Sequence, residues 1–257
     1  MSILLLDSGV GGLTVLKELR AVLPQQRYIF VADNAAFPYG AWQEDALRDR
    51  IVALFHRLVD EYSPDLAVVA CNTASTLVLP ALRSTFVIPF VGTVPAIKPA
   101  AEATKSGLIS VLATPGTVKR DYTKALINEF ANDCEVTLVG CTGLAAIAEA
   151  KLSGGRIDTD ALAAEIAPAF VEIGGRRTDA VVLGCTHYPL LLDELARAAP
   201  WEVDFIDPSP AIARRVKQIL PESAAPTGGD DIAHFTDGAK VSQNLQRVMA
   251  QFHLTLA

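Results

Sequence analysis

The sequence has few cysteines, no long apolar run and no targeting signal. Its four cysteines, Cys71, Cys134, Cys141 and Cys185, show neither a CxxC pair nor a Cys/His spacing typical of zinc, so we expect no metal. No stretch approaches the roughly 20 apolar residues that span a bilayer, and residues 3–6 are too short and lack the basic flank of a signal peptide. We therefore expect a cytoplasmic protein, without a membrane partner, whose cysteines are free thiols.

The chain also lacks an excess of positive charge. Its 22 lysines and arginines stand against 29 aspartates and glutamates, which gives a formal net charge of −7. Nucleic acids and anionic membranes require a basic face, so neither is expected as a partner. A small anionic substrate is compatible with this charge, because backbone N–H groups and helix N-termini can hold a carboxylate.

A nucleotide-binding motif is absent as well. A GxGxxG motif that starts at Gly9 needs glycine where Thr14 stands, and no GK[ST] sequence follows. We interpret this glycine-rich segment as a tight turn whose N–H groups hold a carboxylate or an amine-bearing substrate.

What the sequence does contain is a regular alternation of short apolar runs and amphipathic stretches. Helices are predicted where apolar residues recur at helical spacing, as in Leu47, Ile51, Leu54, Phe55 and Leu58. Strands of four or five residues, of the kind buried on both faces of a parallel sheet, are predicted at residues 3–6, 28–32, 66–70, 88–91, 108–112, 136–139, 180–183, 203–206 and 232–235. The alternation predicts an α/β fold with parallel sheets flanked by helices.

The two halves of the chain resemble each other. Residues 65–73 match residues 179–187 at an offset of 114, and residues 90–97 match residues 205–212 at an offset of 115. A steady offset across successive strands indicates internal duplication. We predict two similar α/β domains related by a pseudo-two-fold, with the active site in the cleft between them. The first comprises residues 1–96 and 210–257, and the second comprises residues 97–209.

The duplication places Cys71 and Cys185 at equivalent strand ends, one in each domain. Parallel α/β sheets bind ligands at the carboxyl ends of their strands, so two facing domains present two thiols to one substrate carbon. A thiolate on one face can take a proton while a thiol on the other returns one, which inverts the stereocentre. Asn72, Thr73 and Thr186, which follow these cysteines, are suited to lower a thiol pKa. Cys134 and Cys141 are interpreted as structural.

Other polar residues at the predicted strand ends complete the candidate site. Asp7 is an acceptor that can hold a substrate ammonium group or orient a proton. His187 can act as an acid or hold a carboxylate. Further candidates near strand ends are Ser8, Tyr39, Gly40, Thr114 and Thr117.

These segments together resemble the aspartate/glutamate racemase superfamily, and most closely the glutamate racemases within it. The matching pieces are residues 7–13 (DSGVGGL), 38–40 (PYG), 71–74 (CNTA) and 183–190 (LGCTHYPL). The resemblance implies a cofactor-independent interconversion of L- and D-glutamate that supplies D-glutamate for peptidoglycan, in a protein that is often a homodimer.

The resemblance also implies residue roles. Cys71 and Cys185 would transfer the protons, and Asp7, His187 and Glu149 would assist them. Substrate contacts would come from Asp7, Ser8, Tyr39, Gly40, Asn72, Thr73, Thr186 and His187. The sequence departs from the family pattern at Ala113, Arg120 and Ala150, where the family usually has glycine, serine and glycine.

Three other functions compete with this one. The chain can be an aspartate or hydantoin racemase of the same superfamily. It can be a hydrolase or decarboxylase with one nucleophilic cysteine and His187 as its base. It can also be a binding or redox protein in which Cys71 and Cys185 form a disulfide.

Overall fold

Two parallel sheets form the centre of the molecule. A computed structural model describes residues 1–220 and 228–257. Within these ranges the strands are β1 (Ser2–Asp7), β2 (Arg27–Ala32), β3 (Leu66–Val69), β4 (Phe90–Gly92), β5 (Leu108–Ala113), β6 (Glu135–Gly140), β7 (Glu172–Ile173), β8 (Arg176–Arg177), β9 (Ala180–Gly184), β10 (Asp204–Ile206), β11 (Ile232–Phe235) and β12 (Thr255–Leu256).

Helices connect and flank these strands. In the same ranges they are α1 (Leu13–Val22), α2 (Glu44–Tyr62), α3 (Asn72–Thr85), α4 (Ile97–Ala103), α5 (Pro115–Val118), α6 (Asp121–Phe130), α7 (Leu144–Leu152), α8 (Thr159–Ile166), α9 (Leu192–Ala198), α10 (Ser209–Ile219) and α11 (Gln243–Gln251). None of the helices in the described ranges has the length and hydrophobicity that a bilayer crossing requires.

The two large sheets repeat one strand order. The first runs β12-β11-β2-β1-β3-β4 and the second runs β10-β9-β5-β6, with parallel neighbours in both. Read from its other end, the second sheet runs β6-β5-β9-β10, and the first sheet contains the run β2-β1-β3-β4. In both sheets the strands therefore lie in the order second, first, third and fourth along the chain. The predicted α/β class with two similar parallel sheets is confirmed.

The strands form where the apolar runs predict them, because central parallel strands are covered on both faces. Every residue of β1 and β5 is buried. As predicted, β11 joins the first sheet, where it pairs with β2. No apolar run marks β12 or the antiparallel pair β7 and β8, because each of these strands has only two residues and both are exposed.

The chain passes between the two sheets twice, after β4 and after β10. After the first crossing, Ile97 of α4 packs in the core cluster that contains Ile109 and Val182 of the second sheet. After the second crossing, Ile212 of α10 returns to the cluster that contains Leu16 of α1. The domain boundaries near residues 96 and 210 stay a prediction, and these crossings support them.

Candidate active site

Cys71 and Cys185 line the same cavity. Cys71 follows β3 and precedes α3, while Cys185 follows β9, and each residue is 7% exposed. The cavity between them measures about 20 Å³, which is close to the room that one water molecule needs. The structure therefore brings the two predicted thiols to one narrow opening at the carboxyl ends of both sheets.

Most of the predicted site residues surround this cavity. Its lining includes the candidates Ser8, Tyr39, Gly40, Asn72, Thr73, Thr114 and His187. Four other candidates lie just outside the lining: Asp7, Thr117, Glu149 and Thr186. Each is either the chain neighbour of a lining residue or hydrogen-bonded to one. Phe37 and Ala145, which the sequence analysis did not single out, also face the cavity.

A hydrogen-bonded chain leads away from Cys185. Its Sγ lies 3.7 Å from Nδ1 of His187, and Nε2 of His187 lies 2.8 Å from Oε1 of Glu149. Burial on its own lowers the pKa of His187, but the contacts with Cys185 and Glu149 outweigh it and hold that pKa well above its usual value. These contacts therefore favour a protonated imidazole beside the Cys185 sulfur.

The glycine-rich turn holds the far end of this chain. The backbone N–H of Val10 donates to Oε1 of Glu149 at 2.7 Å. A Cβ atom on Gly9 would clash with Glu149, and one on Gly11 would clash with His187. Glycine permits this close approach. The carboxylate that the turn holds belongs to the protein itself, whereas the sequence predicted a substrate there; binding of a substrate by this turn stays a prediction.

The surroundings of Cys71 differ from those of Cys185. Asp7 is fully buried, and its two carboxyl oxygens accept hydrogen bonds from the Ser8 N–H at 2.6 Å and the Thr186 hydroxyl at 2.9 Å. Burial raises the pKa of Asp7. Burial and the nearby Asp7 charge raise the pKa of the Cys71 thiol well above its usual range. The two cysteines thus lie in unlike electrostatic surroundings, which favour a protonated Cys71.

Three threonines join the two halves of the chain beside the cavity. Oγ1 of Thr73 lies 2.8 Å from Oγ1 of Thr114 and 3.3 Å from Oγ1 of Thr117. Close to them, Arg120 forms an ion pair with Glu44 at the start of α2. The arginine that departs from the family pattern therefore links the two halves at this side of the cavity.

The Asn72 side chain has no hydrogen-bond partner among the described residues. It is 2% exposed, and neither its Oδ1 nor its Nδ2 is bonded. Buried amides are normally paired, because an unpaired donor or acceptor costs about 1–3 kcal/mol. An amide that lines a cavity with both atoms unpaired is suited to a ligand that carries an acceptor and a donor.

Tyr39 is held by a buried carboxylate, that of Asp33, which was not predicted as a site residue. Asp33 is fully buried and accepts hydrogen bonds from Tyr39 at 2.8 Å, from Arg50 at 2.6 and 2.7 Å, and from Thr236 at 2.7 Å. Burial raises the pKa of Asp33, but the Arg50, Thr236 and Tyr39 hydrogen bonds outweigh it and keep that pKa low. The position of Asp33 after β2 was its only sequence signal.

The remaining cysteines lie outside the cavity lining. Cys141 is buried, with its Sγ 3.8 Å from the carbonyl oxygens of Val139 and Glu165. Cys134 is partly buried and packs beside the second sheet. Neither lines the cavity that Cys71 and Cys185 share.

Comparison with known proteins gives a consistent assignment. The family model for Asp/Glu/Hydantoin racemase matches residues 14–216. The chain is 56% identical to the glutamate racemase of Brucella ovis, over 98% of this chain and 92% of that protein. It is also 56% identical to the glutamate racemase of Mesorhizobium japonicum, over 99% and 98%.

The fold agrees with these sequences. A crystal structure of Escherichia coli glutamate racemase in complex with L-glutamate and the activator UDP-MurNAc-Ala superposes with a TM-score of 0.92. The two chains are 43% identical, and the match covers 99% of this chain and 96% of that one. The chain therefore belongs to the Asp/Glu/Hydantoin racemase family.

Proposed function

We propose that this protein interconverts L- and D-glutamate by proton transfer between the substrate α-carbon and two thiols, Cys71 and Cys185. The observation that carries the proposal is the single cavity lined by both cysteines, at equivalent ends of the repeated sheets. Reaction at one carbon from two sides needs a base on one face and an acid on the other. The unlike surroundings of the two thiols support that division.

In the proposed reaction, one thiol acts as the base and the other as the acid. The Cys185 thiolate, beside the His187 imidazolium, takes the α-proton of L-glutamate. The Cys71 thiol gives its proton to the opposite face of the same carbon, so D-glutamate forms and Cys71 becomes the thiolate. The reverse reaction starts from that thiolate, and no cofactor or metal takes part in either direction.

Glutamate is the substrate that the observations favour. The relatives that match nearly the whole chain are glutamate racemases, and the Escherichia coli protein binds L-glutamate in its crystal structure. Asn72 offers an unpaired N–H and an unpaired carbonyl oxygen, which are complementary to a carboxylate and an ammonium group. Ser8, Tyr39, Gly40, Thr73, Thr114, Thr117 and Thr186 are proposed as further substrate-binding residues, with Asp7, His187 and Glu149 assisting the thiols.

In the cell, this activity would supply D-glutamate for peptidoglycan from the cytoplasm. A homodimer is a further prediction from the family resemblance. Both proposals concern the setting of the reaction and leave its chemistry unchanged.

The decisive experiment is α-proton exchange in deuterated water without added cofactor. L- and D-glutamate are expected each to incorporate deuterium and to converge on a racemic mixture, while aspartate and a hydantoin stay unlabelled. Faster labelling of aspartate or of the hydantoin would assign the chain to another substrate. Absence of exchange from either glutamate enantiomer, with substrate consumed instead, would favour a single-cysteine hydrolase or decarboxylase.

A further inference from the structure

The cavity between the two thiols is too small for the proposed substrate. It measures about 20 Å³, which is close to the room that one water molecule needs, and glutamate is much larger than water. Cys71 and Cys185 are each only 7% exposed. The two halves of the chain must therefore separate to admit glutamate and close again to bring both thiols to one carbon. What holds the closed arrangement matters for the proposed function, on which this inference rests.

Helix α5 of the second half lies against the first half at one side of this cavity. Thr114, the residue before α5, has its Oγ1 2.8 Å from Oγ1 of Thr73. A Cβ atom on Gly116 would lie 3.4 Å from Cγ2 of Thr73 and 3.7 Å from Cα of Gly40. Because Thr73 follows Cys71 by two residues, this close contact influences how near the two sulfurs come to each other.

An ion pair fixes the end of the same segment. Arg120, two residues after α5, pairs with Glu44 at the start of α2. Among the ion pairs within residues 1–220 and 228–257, this is the one that joins the two predicted domains. The Arg120 side chain is 13% exposed, and its Nε is buried without a hydrogen-bond partner in the described part of the chain. Because this guanidinium has lost much of its hydration, it depends on the Glu44 carboxylate more than an exposed arginine would.

We propose that Arg120 is a positioning residue whose ion pair with Glu44 holds the two halves closed around the substrate. Opening of the cleft separates the pair and exposes Cys71 and Cys185. Closing forms the pair again and returns both sulfurs to the substrate carbon. The family pattern has serine at residue 120, which carries no charge, so this chain gains an electrostatic contact between its halves that the pattern lacks.

The contacts on the other side of the cavity are of a different kind. There the Thr186 hydroxyl donates to a carboxyl oxygen of Asp7, and both residues belong to the proposed substrate-binding and catalytic groups. Arg120 and Glu44 do not line the cavity. Their replacement therefore changes the closure of the halves and leaves in place the groups that face the substrate.

Alkylation of the cavity thiols by iodoacetamide measures opening in the substrate-free protein, without any turnover. In Arg120→Ser, the rates at Cys71 and Cys185, followed by peptide mass spectrometry, are expected to rise about three- to fivefold, the contribution of an ion pair with one exposed partner. The rate at Cys141, which is buried outside the cavity, reports unfolding and is expected not to change. Loss of a positive charge by itself disfavours thiolates and would slow alkylation, so acceleration identifies opening.

Racemisation is expected to report the same change. In Arg120→Ser, kcat/KM for both glutamate enantiomers should fall by about three- to fivefold, chiefly through KM, because part of the binding energy is then used to close the halves. The double variant Arg120→Glu with Glu44→Arg restores the pair with its charges exchanged. It is expected to return both alkylation and kcat/KM towards the wild type, whereas Glu44→Arg alone places two cations together and should open the cleft at least as much as Arg120→Ser.

Arg48→Ser is the matched control. Arg48 pairs with Asp45 and Asp49 on α2, the helix that begins with Glu44. Its loss removes an ion pair within one half of the chain and none between the halves. Thiol alkylation and kcat/KM of this variant are expected to match the wild type.

An equal acceleration at Cys141 would assign Arg120 to overall stability and overturn the proposal. Wild-type alkylation of Cys71 and Cys185 in Arg120→Ser would also overturn it, as would a charge-exchanged double variant as open as Glu44→Arg alone. These results differ from failure of the proposed function, because in that case the wild-type protein itself would not exchange the α-proton of glutamate, whatever the alkylation rates.

Discussion

Thr186 donates a 2.9 Å hydrogen bond from its hydroxyl to Oδ2 of Asp7. Thr186 is the chain neighbour of Cys185, whereas the Asp7 charge acts on Cys71. This bond therefore joins the surroundings of the two thiols, which come from different halves of the chain.

Loss of that bond is expected to affect both stability and activity. Thr186→Val leaves a fully buried carboxyl oxygen without its partner, so the free energy of unfolding should fall by about 1–3 kcal/mol. Racemisation should slow in both directions, because the orientation of Asp7 changes. Denaturant unfolding and initial rates measure the two effects. Thr186→Ser keeps the hydroxyl and should retain both, and a Ser variant as impaired as the Val variant would contradict a role for the hydroxyl bond to Asp7.

Both thiols are expected to be indispensable for racemisation. Cys71→Ser and Cys185→Ser should each abolish interconversion of the two glutamate enantiomers, as followed by optical rotation. Each variant should still eliminate a β-leaving group from a glutamate analogue, and the two should act on opposite enantiomers. Cys141→Ser, which alters a buried thiol outside the cavity, should racemise normally. Preference of both variants for the same enantiomer would contradict attack from two faces.

Asn72 is expected to contribute to substrate binding and not to stability. Asn72→Leu removes two unpaired polar atoms, so the free energy of unfolding should be unchanged or rise by about 1 kcal/mol. The KM for glutamate should rise at least about tenfold, the equivalent of about 1.4 kcal/mol of lost hydrogen bonding.

Ser75→Ala is the matched control on the same helix. Ser75 bonds the Val69 carbonyl at 2.8 Å and the Thr93 N–H at 2.9 Å. Its loss should lower the free energy of unfolding by about 1–3 kcal/mol and leave KM unchanged. If Asn72→Leu were the less stable variant and kept a normal KM, the amide would be structural.

The raised pKa of His187 predicts a particular pH dependence of stability. The contacts with Cys185 and Glu149 raise this pKa despite burial, which lowers it. A raised pKa in the folded state stabilises the protein fully below the unfolded pKa of about 6.5, and this contribution disappears as the pH rises through the folded value. The difference in unfolding free energy between wild type and His187→Gln should therefore decline from pH 6 towards alkaline pH. Denaturant titrations at successive pH values measure it, and a difference that grows with pH would contradict the assignment.

The sequence predicted the fold and the paired thiols because both depend on local pattern. Apolar runs mark strands that are buried on both faces, and the repeated segments around Cys71 and Cys185 mark equivalent strand ends. The family resemblance added Glu149, whose own sequence surroundings suggest only an exposed helix position. Its contact with Val10 spans 139 residues, so no local pattern reports it.

The hydrogen bonds of Asp33 with Tyr39 and Arg50 could not be predicted for a related reason. Arg50 lies on α2, 17 residues after Asp33, and helical periodicity indicates which face of α2 is buried but not which carboxylate its arginine meets. Phe37 was missed because its contact with the His187 ring joins segments that lie far apart in the sequence. Contacts between elements, unlike the elements themselves, require the packed molecule.

The repeated strand order has an evolutionary consequence. An ancestral gene that encoded one half would have supplied a single thiol, and only a pair of identical subunits could have presented sulfur to both faces of a substrate. Such a pair would have had identical neighbours around each sulfur. A single chain with two halves is free of that constraint, and here the halves differ: His187 contacts Cys185 in one, and the Asp7 charge acts on Cys71 in the other.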